Sequence, residues 1–195
     1  MAMEADWEVE VGPGAPIIDA HWAGFVDLRQ HAAPELVQGL PEVVQLPDLG
    51  IALLRINGPG SPVWTTKCDV WPVLDLREID TDEMDAPAEH GAHAWACYID
   101  LLPRSGEHRA VPEWIVPAMA VPWCKSLCKR LRDIPLRGCR VDLTVRRVAG
   151  APDGTDIGIT AYLTSCGSTD EDAKEALQRA LGGFVNAFCI AATVE

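Results

Sequence analysis

The chain has 195 residues, of which 48% are hydrophobic, and it carries a formal net charge of -13. This length and composition predict one compact domain over residues 1–195, and the acidic balance argues against general nucleic-acid binding, which depends on cations that neutralise phosphates. No apolar run approaches the ~18 residues that cross a bilayer, and the first residues do not resemble a signal peptide, so we expect a soluble cytoplasmic protein without a membrane partner.

The positive charge is unevenly distributed along the chain. Half of the 16 lysines and arginines lie between residues 125 and 147, where only Asp133 and Asp142 oppose them. Such an asymmetry indicates an anionic partner, an acidic segment of the same chain folded against the basic one, or a solvated face. The acidic run over residues 75–89 provides a segment of this kind, and it is also a candidate contact for a basic protein partner.

The first half of the chain, residues 1–76, predicts the order β-α-β-β. Residues 6–11 alternate between apolar and acidic side chains, as a strand with one solvated face does, and a helical stretch follows from Pro34. The apolar run over residues 49–56 is interpreted as a strand. It is expected to pair in a hairpin with the extended segment that follows the turn residues 57–60.

The second half, residues 94–195, is more clearly patterned and predicts the order β-α-β-β-α. Residues 95–101 alternate as a strand that Pro103 ends. The segments 139–145 and 157–163 alternate in the same way, and the short turn-rich stretch between them predicts a hairpin.

Two amphipathic helices accompany these strands. The first is expected to begin at Pro122, because the first position of a helix does not need the N–H that proline lacks. The second begins with the capping box of Ser168 and Glu171, its apolar residues recur at helical spacing, and Gly182 and Gly183 are expected to bend or interrupt it.

These elements predict an α+β fold, with an antiparallel or mixed sheet that has its helices packed on one face. Ferredoxin-like domains and domains made of paired βαββ units are built in this way. The alternative to a single unit is therefore a pair of similar halves, residues 1–76 and 94–195. An acidic loop, residues 77–93, would join the halves, and its charge leaves no apolar face with which to dock on them.

The phase of the strands places polar side chains of the second half on the sheet face away from the helices. Because alternate residues of a strand point to opposite faces, this polar face combines aromatic, hydroxyl and charged groups. Its candidate ligand-binding residues are Tyr98, Asp100, Arg140, Asp142, Arg146 and Tyr162. If another part of the chain covers the face, the resulting cleft suits a small anionic or aromatic ligand, held by bidentate contacts from the arginines. The other interpretation is a solvated face that cross-strand pairs stabilise.

No motif in the sequence specifies a catalytic chemistry. The expected function is therefore that of a non-catalytic binding module for a small molecule or a protein partner, without a cofactor. An uncovered polar face would also favour a homodimer.

The alternative function is that of a thiol- or zinc-dependent enzyme. Cys68 follows Lys67, and a cation beside a thiol lowers its pKa, as a nucleophile requires. His90, His93 and Cys97 have a spacing that supplies three zinc ligands if another cysteine completes the set. The seven cysteines are otherwise interpreted as buried apolar side chains rather than as a disulfide framework.

Overall fold

A six-stranded mixed sheet organises the fold in the computed structural model of the chain, which describes residues 2–10, 14–18, 26–28, 34–59, 61–86, 93–104, 117–150 and 156–190. The strands are β1 (Glu4–Val9), β2 (Ile17–Ile18), β3 (Val63–Pro72), β4 (His93–Pro103), β5 (Cys139–Ala149) and β6 (Ile157–Gly167). Their order is β1-β5-β6-β4-β3, and β2 pairs with β5 beyond the end of β1. β1 and β2 run parallel to β5, whereas the other neighbours are antiparallel. The predicted α+β class with a mixed sheet is confirmed.

The described residues form five α-helices beside the sheet. They are α1 (Pro34–Gln38), α2 (Pro41–Gln45), α3 (Pro47–Ile56), α4 (Pro117–Arg132) and α5 (Asp170–Ile190), and a 3-10 helix covers Leu76–Glu78. Buried residues of α3, α4 and α5 share one core with one face of the sheet, which we call the helix face. None of the helices in the described ranges combines the length and the hydropathy that a membrane crossing requires.

The hairpin predicted for the first half of the chain is wrong, because residues 49–56 belong to α3. Pro47 begins this helix and Asp48 lies in its first turn, two features that favour a helix N-terminus. Within the apolar run, Leu49, Leu53 and Ile56 are buried at helical spacing while Ile51 is exposed. The first half therefore does not repeat the β-α-β-β order.

The β-α-β-β-α order predicted for the second half is the order of β4, α4, β5, β6 and α5. The predicted start of α4 is wrong, since the helix begins at Pro117 and Pro122 lies inside it. Of the bend or interruption expected in α5 at Gly182 and Gly183, the interruption is wrong. The helix continues through Gly182 and Gly183, because Leu181 and Phe184 bury themselves in the core and tertiary packing offsets the low helix propensity of glycine.

The strand phase predicted for the second half is confirmed. Tyr98 and Asp142 both lie opposite Tyr162 in the register, so the three side chains share one face. Their chain neighbours Cys97 and Leu163 are buried in the core beneath the helices. The polar residues thus gather on the sheet face away from the core, and we call it the polar face.

The acidic loop docks on the rest of the chain through Met84, which is 2% exposed and packs with Ala94 and Cys166. Its flanking ion pairs join Glu83 to Arg140 and Asp85 to Arg137. The prediction that this loop lacks a docking surface is wrong, because Met84 is buried and the partly buried Ile79 and Ala86 of the same segment pack with it. Of the explanations for the charge asymmetry, an acidic segment of the same chain applies to these two arginines.

Candidate functional site

The structure brings the six predicted site residues together on the polar face. Tyr98 and Tyr162 are cross-strand neighbours, with ring centroids 6.0 Å apart. Trp71 extends this pair on the other side, because its ring centroid lies 6.1 Å from that of Tyr98. We call these three half-buried rings the aromatic strip. It crosses three adjacent strands, β3, β4 and β6.

The two arginines of the predicted site are already engaged by carboxylates of the protein. Arg140 Nε donates to both carboxylate oxygens of Asp142, each at 2.8 Å, and its Nη1 contacts Glu83. Arg146 Nε lies 2.7 Å from Glu10 Oε2, in an ion pair without an aligned hydrogen bond. Both guanidinium groups that the sequence assigned to a ligand are thus paired with carboxylates of the chain itself.

Arg146 also forms one wall of the aromatic strip. The central carbon of its guanidinium group lies 5.4 Å from the centroid of the Tyr162 ring, the geometry of a cation–π contact. The polar face therefore already shows the interaction by which its rings attract a cation.

Asp100 is a buried carboxylate at the centre of the polar face. It is 7% exposed, and its Oδ1 accepts a hydrogen bond from Thr160 Oγ1 at 2.6 Å. No cation of the described residues lies within ion-pair distance of it. Burial raises the pKa of Asp100, against the hydrogen bond from Thr160 and the more distant charges of Arg146 and Lys67.

Carboxylates outnumber cations on the polar face and along its margins. Asp69 lies opposite Tyr98 in the register, and Asp100 follows Tyr98 on the same face of β4. Burial raises the pKa of Tyr98, and the two carboxylates raise it further, so the phenol keeps its proton. The further carboxylates of this surface are Asp6, Glu8, Glu10 and Asp142.

Apolar side chains close both ends of the polar face. Met84 covers Ala94 and Cys166 at one end. At the other end Ile17 and Leu102 lie directly against Gly158, since a Cβ there would come within 2.8 Å of a methyl carbon of each. The aromatic strip and Asp100 occupy the middle of a trough.

The residues of the predicted thiol or zinc site do not assemble within the described chain. Burial raises the pKa of Cys68 to about 12, with Glu42 and Asp69 adding to the effect, so the expectation that Lys67 lowers the pKa is not met. Cys97 is fully buried on the helix face, whereas His93 is exposed at the start of β4. His90 lies outside the described residues, and the described ones contain no cluster of three metal-binding side chains.

Sequence reasoning missed Trp71 and Asp69 as members of the polar face. Strand alternation fails to place them from the start of β3, because a bulge between Thr65 and Cys68 shifts the register. Only the pairing with β4 shows that they lie beside Tyr98. Comparison with protein families, with curated proteins and with solved structures gives no match for this chain.

Proposed function

We propose that this protein is a non-catalytic binding module whose polar face holds a small aromatic molecule that carries a positive charge. The observation that carries the proposal is Asp100, a buried carboxylate beside the aromatic strip whose hydrogen-bond partner is the neutral Thr160. Buried charges are normally paired, and groups with perturbed pKa values concentrate at functional sites.

The aromatic strip supports an aromatic ligand. Its rings are spaced by about 6 Å, and each is half-buried rather than packed into the core. A planar ligand would gain contact area and ring–ring interactions beyond simple burial, worth about 0.5–1.5 kcal/mol per pair.

The charges of the trough favour a cation over an anion. Arg140 and Arg146 are paired with carboxylates, so an anion would also meet the negative charges of Asp142, Glu83 and Glu10. A cation meets Asp100, Asp69 and the rings of Tyr98 and Trp71, whereas Arg146 already lies over Tyr162. The anionic alternative therefore has less support than the aromatic one.

A non-catalytic role fits the state of the thiol that the enzyme alternative needs. Thiol catalysis uses the thiolate, and a pKa of about 12 keeps Cys68 protonated at neutral pH. The cytoplasmic location predicted from the sequence belongs to the same proposal. It is supported by the six described cysteines, which are all free thiols, as a reducing compartment favours.

Three probes with the same ring and similar length test the proposal: phenethylamine, 2-phenylethanol and 3-phenylpropanoate. Calorimetric titration should show the tightest binding for the amine. Asp100→Asn should weaken amine binding about tenfold or more, because it removes a charge-assisted interaction of about 1.5–3 kcal/mol. Asp133→Asn, at an exposed position after α4, is the matched control and should leave binding unchanged. The proposal would be overturned if 3-phenylpropanoate bound more tightly than phenethylamine or if none of the probes bound. Equal affinity of the Asp100→Asn and Asp133→Asn proteins for phenethylamine would also overturn it.

A further inference from the structure

A second cavity lies at the β3 edge of the sheet, between β3 and helices α2 and α3. We call it the β3 cleft, and its volume is about 290 Å³. Ligand pockets of proteins range from about 300 to 1,000 Å³, so the β3 cleft lies just below this range and suits only a small ligand. It shares no lining residue with the aromatic strip or with Asp100.

The bulge in β3 gives this cleft an unusual wall. Alternate residues of a regular strand point to opposite faces. Here the extra residue between Thr65 and Cys68 breaks the alternation, and four consecutive residues, Thr65 to Cys68, line the same cleft. A bulge that re-aims side chains toward a cavity is typical of binding sites.

The remaining wall is apolar. It is made by Val26, Leu28, Leu40, Pro41 and Leu53, with Glu42 at its margin. The lining carries one formal charge of each sign, and neither group dominates it, since Glu42 is only half-buried and Lys67 is exposed. The cleft therefore suits a neutral molecule with an apolar body.

Thr66 lacks the hydrogen bond that its burial requires. It is 8% exposed, and its Oγ1 has no partner among the described residues. The neighbouring Thr65 is satisfied, since Asn57 Nδ2 donates to its Oγ1 at 2.8 Å and Asn57 Oδ1 accepts from its backbone N–H at 3.0 Å. An unsatisfied buried hydroxyl costs about 1–3 kcal/mol. Because Thr66 Oγ1 is itself fully buried, a ligand recovers that cost when the side chain turns its hydroxyl toward the cleft.

We infer that the β3 cleft binds a small neutral molecule with an apolar chain and one hydroxyl or carbonyl group, which pairs with the Thr66 hydroxyl. This inference is independent of the proposed function, because the two sites share no residue and take ligands of different charge.

Cys68 provides a local reporter for the test, since it lines the cleft and is the least buried of the described cysteines. The intact protein is labelled with methyl methanethiosulfonate in the presence of 1-hexanol, hexanoate or hexylamine, and peptide mass spectrometry measures the rate at Cys68. At a hexanol concentration about ten times its Kd, labelling should slow about tenfold, because only the unoccupied fraction reacts. General destabilisation by the alcohol would have the opposite effect and speed labelling.

Thr66→Val removes the hydroxyl and keeps the shape, so it should abolish the protection by hexanol without slowing the labelling of the ligand-free protein. Thr164→Val, on the polar face, is the matched control and should be protected like the unmodified protein. Protection by hexanoate or hexylamine that equals that by hexanol would overturn the neutral class. Absence of protection would overturn the site, and full protection in Thr66→Val would overturn the role of its hydroxyl.

Discussion

Thr160 donates a 2.6 Å hydrogen bond to Asp100 across the pair of strands β4 and β6, and this neutral hydroxyl is the closest polar partner found for a carboxylate that is 7% exposed. A hydroxyl compensates only part of the cost of burying a charge. The burial of Asp100 in the middle of the polar face therefore lowers the stability of the folded protein. Binding sites often contain such groups, because their function opposes stability.

Replacing Asp100 with asparagine should stabilise the free protein at neutral pH by an amount on the order of 1 kcal/mol, the usual size of a single-residue effect. Asparagine keeps an oxygen that accepts from Thr160 but carries no charge. Because the pKa of Asp100 is raised in the folded state, its cost is absent below the unfolded value near 3.8 and grows as the pH rises through the folded pKa. Urea denaturation between pH 4 and pH 7 should show the gain of the variant shrinking toward pH 4. A variant that is less stable at pH 7 would contradict this account of Asp100.

The thiol of Cys68 should react slowly at neutral pH. With its pKa raised to about 12 by burial, the thiolate fraction grows about tenfold per pH unit through pH 7 to 10. Alkylation by iodoacetamide, followed at the Cys68 peptide, should rise in the same proportion without a plateau. Levelling off near the ordinary thiol value of about 8.5 would instead restore the enzyme alternative.

Met84 should contribute to the docking of the acidic loop, beside the partly buried Ile79 and Ala86. Met84→Ala should reduce the free energy of unfolding by about 2 kcal/mol, because it empties a buried apolar site. Leu74→Ala is the matched control, since Leu74 is 94% exposed, and it should change stability by less than about 0.5 kcal/mol. Denaturant unfolding of both variants measures the difference, and equal effects would show that the loop is not anchored through Met84.

Substitution by alanine at two glycines should change the stability of the protein in opposite directions. Gly158→Ala should destabilise the protein by about 1–3 kcal/mol through overpacking, since the added Cβ would lie 2.8 Å from Ile17 and Leu102 carbons and 2.9 Å from the Leu101 carbonyl oxygen. Gly182→Ala should stabilise it by about 0.5–1 kcal/mol, because nothing lies within 4 Å and the position is helical. Thermal unfolding compares them. A harmless Gly158→Ala would mean that Ile17 does not close that end of the trough.

Alternation explains why the second half of the chain could be predicted. Each strand there has one apolar and one polar side, so local spacing shows that Tyr98, Arg140 and Tyr162 point to the same face of the sheet. This result does not depend on the order of the strands. The first half lacks this signal. The run over residues 49–56 is apolar almost throughout, and neither period 2 nor period 3.6 stands out in it. The helix is indicated only by the start signals of Pro47 and Asp48 and by packing against the core.

The pairing of charges could not be predicted, because it depends on contacts between distant parts of the chain. Glu10 reaches Arg146 and Glu83 reaches Arg140 across separations that no local pattern encodes. These two contacts change the expected ligand from an anion to a cation. Six residues of the candidate site were therefore readable from the sequence, but Trp71, Asp69 and the partners of the two arginines were not.

The polar face contains both tyrosines of the chain, so fluorotyrosine labelling reports on this site alone. We expect two resonances in the ¹⁹F spectrum, from Tyr98 and Tyr162, and both should shift in a saturable way when phenethylamine is added. The Asp100→Asn protein should need a higher amine concentration for the same shifts. Resonances that stay fixed at millimolar amine, or that shift equally with 3-phenylpropanoate, would contradict the claim that this surface binds an aromatic cation.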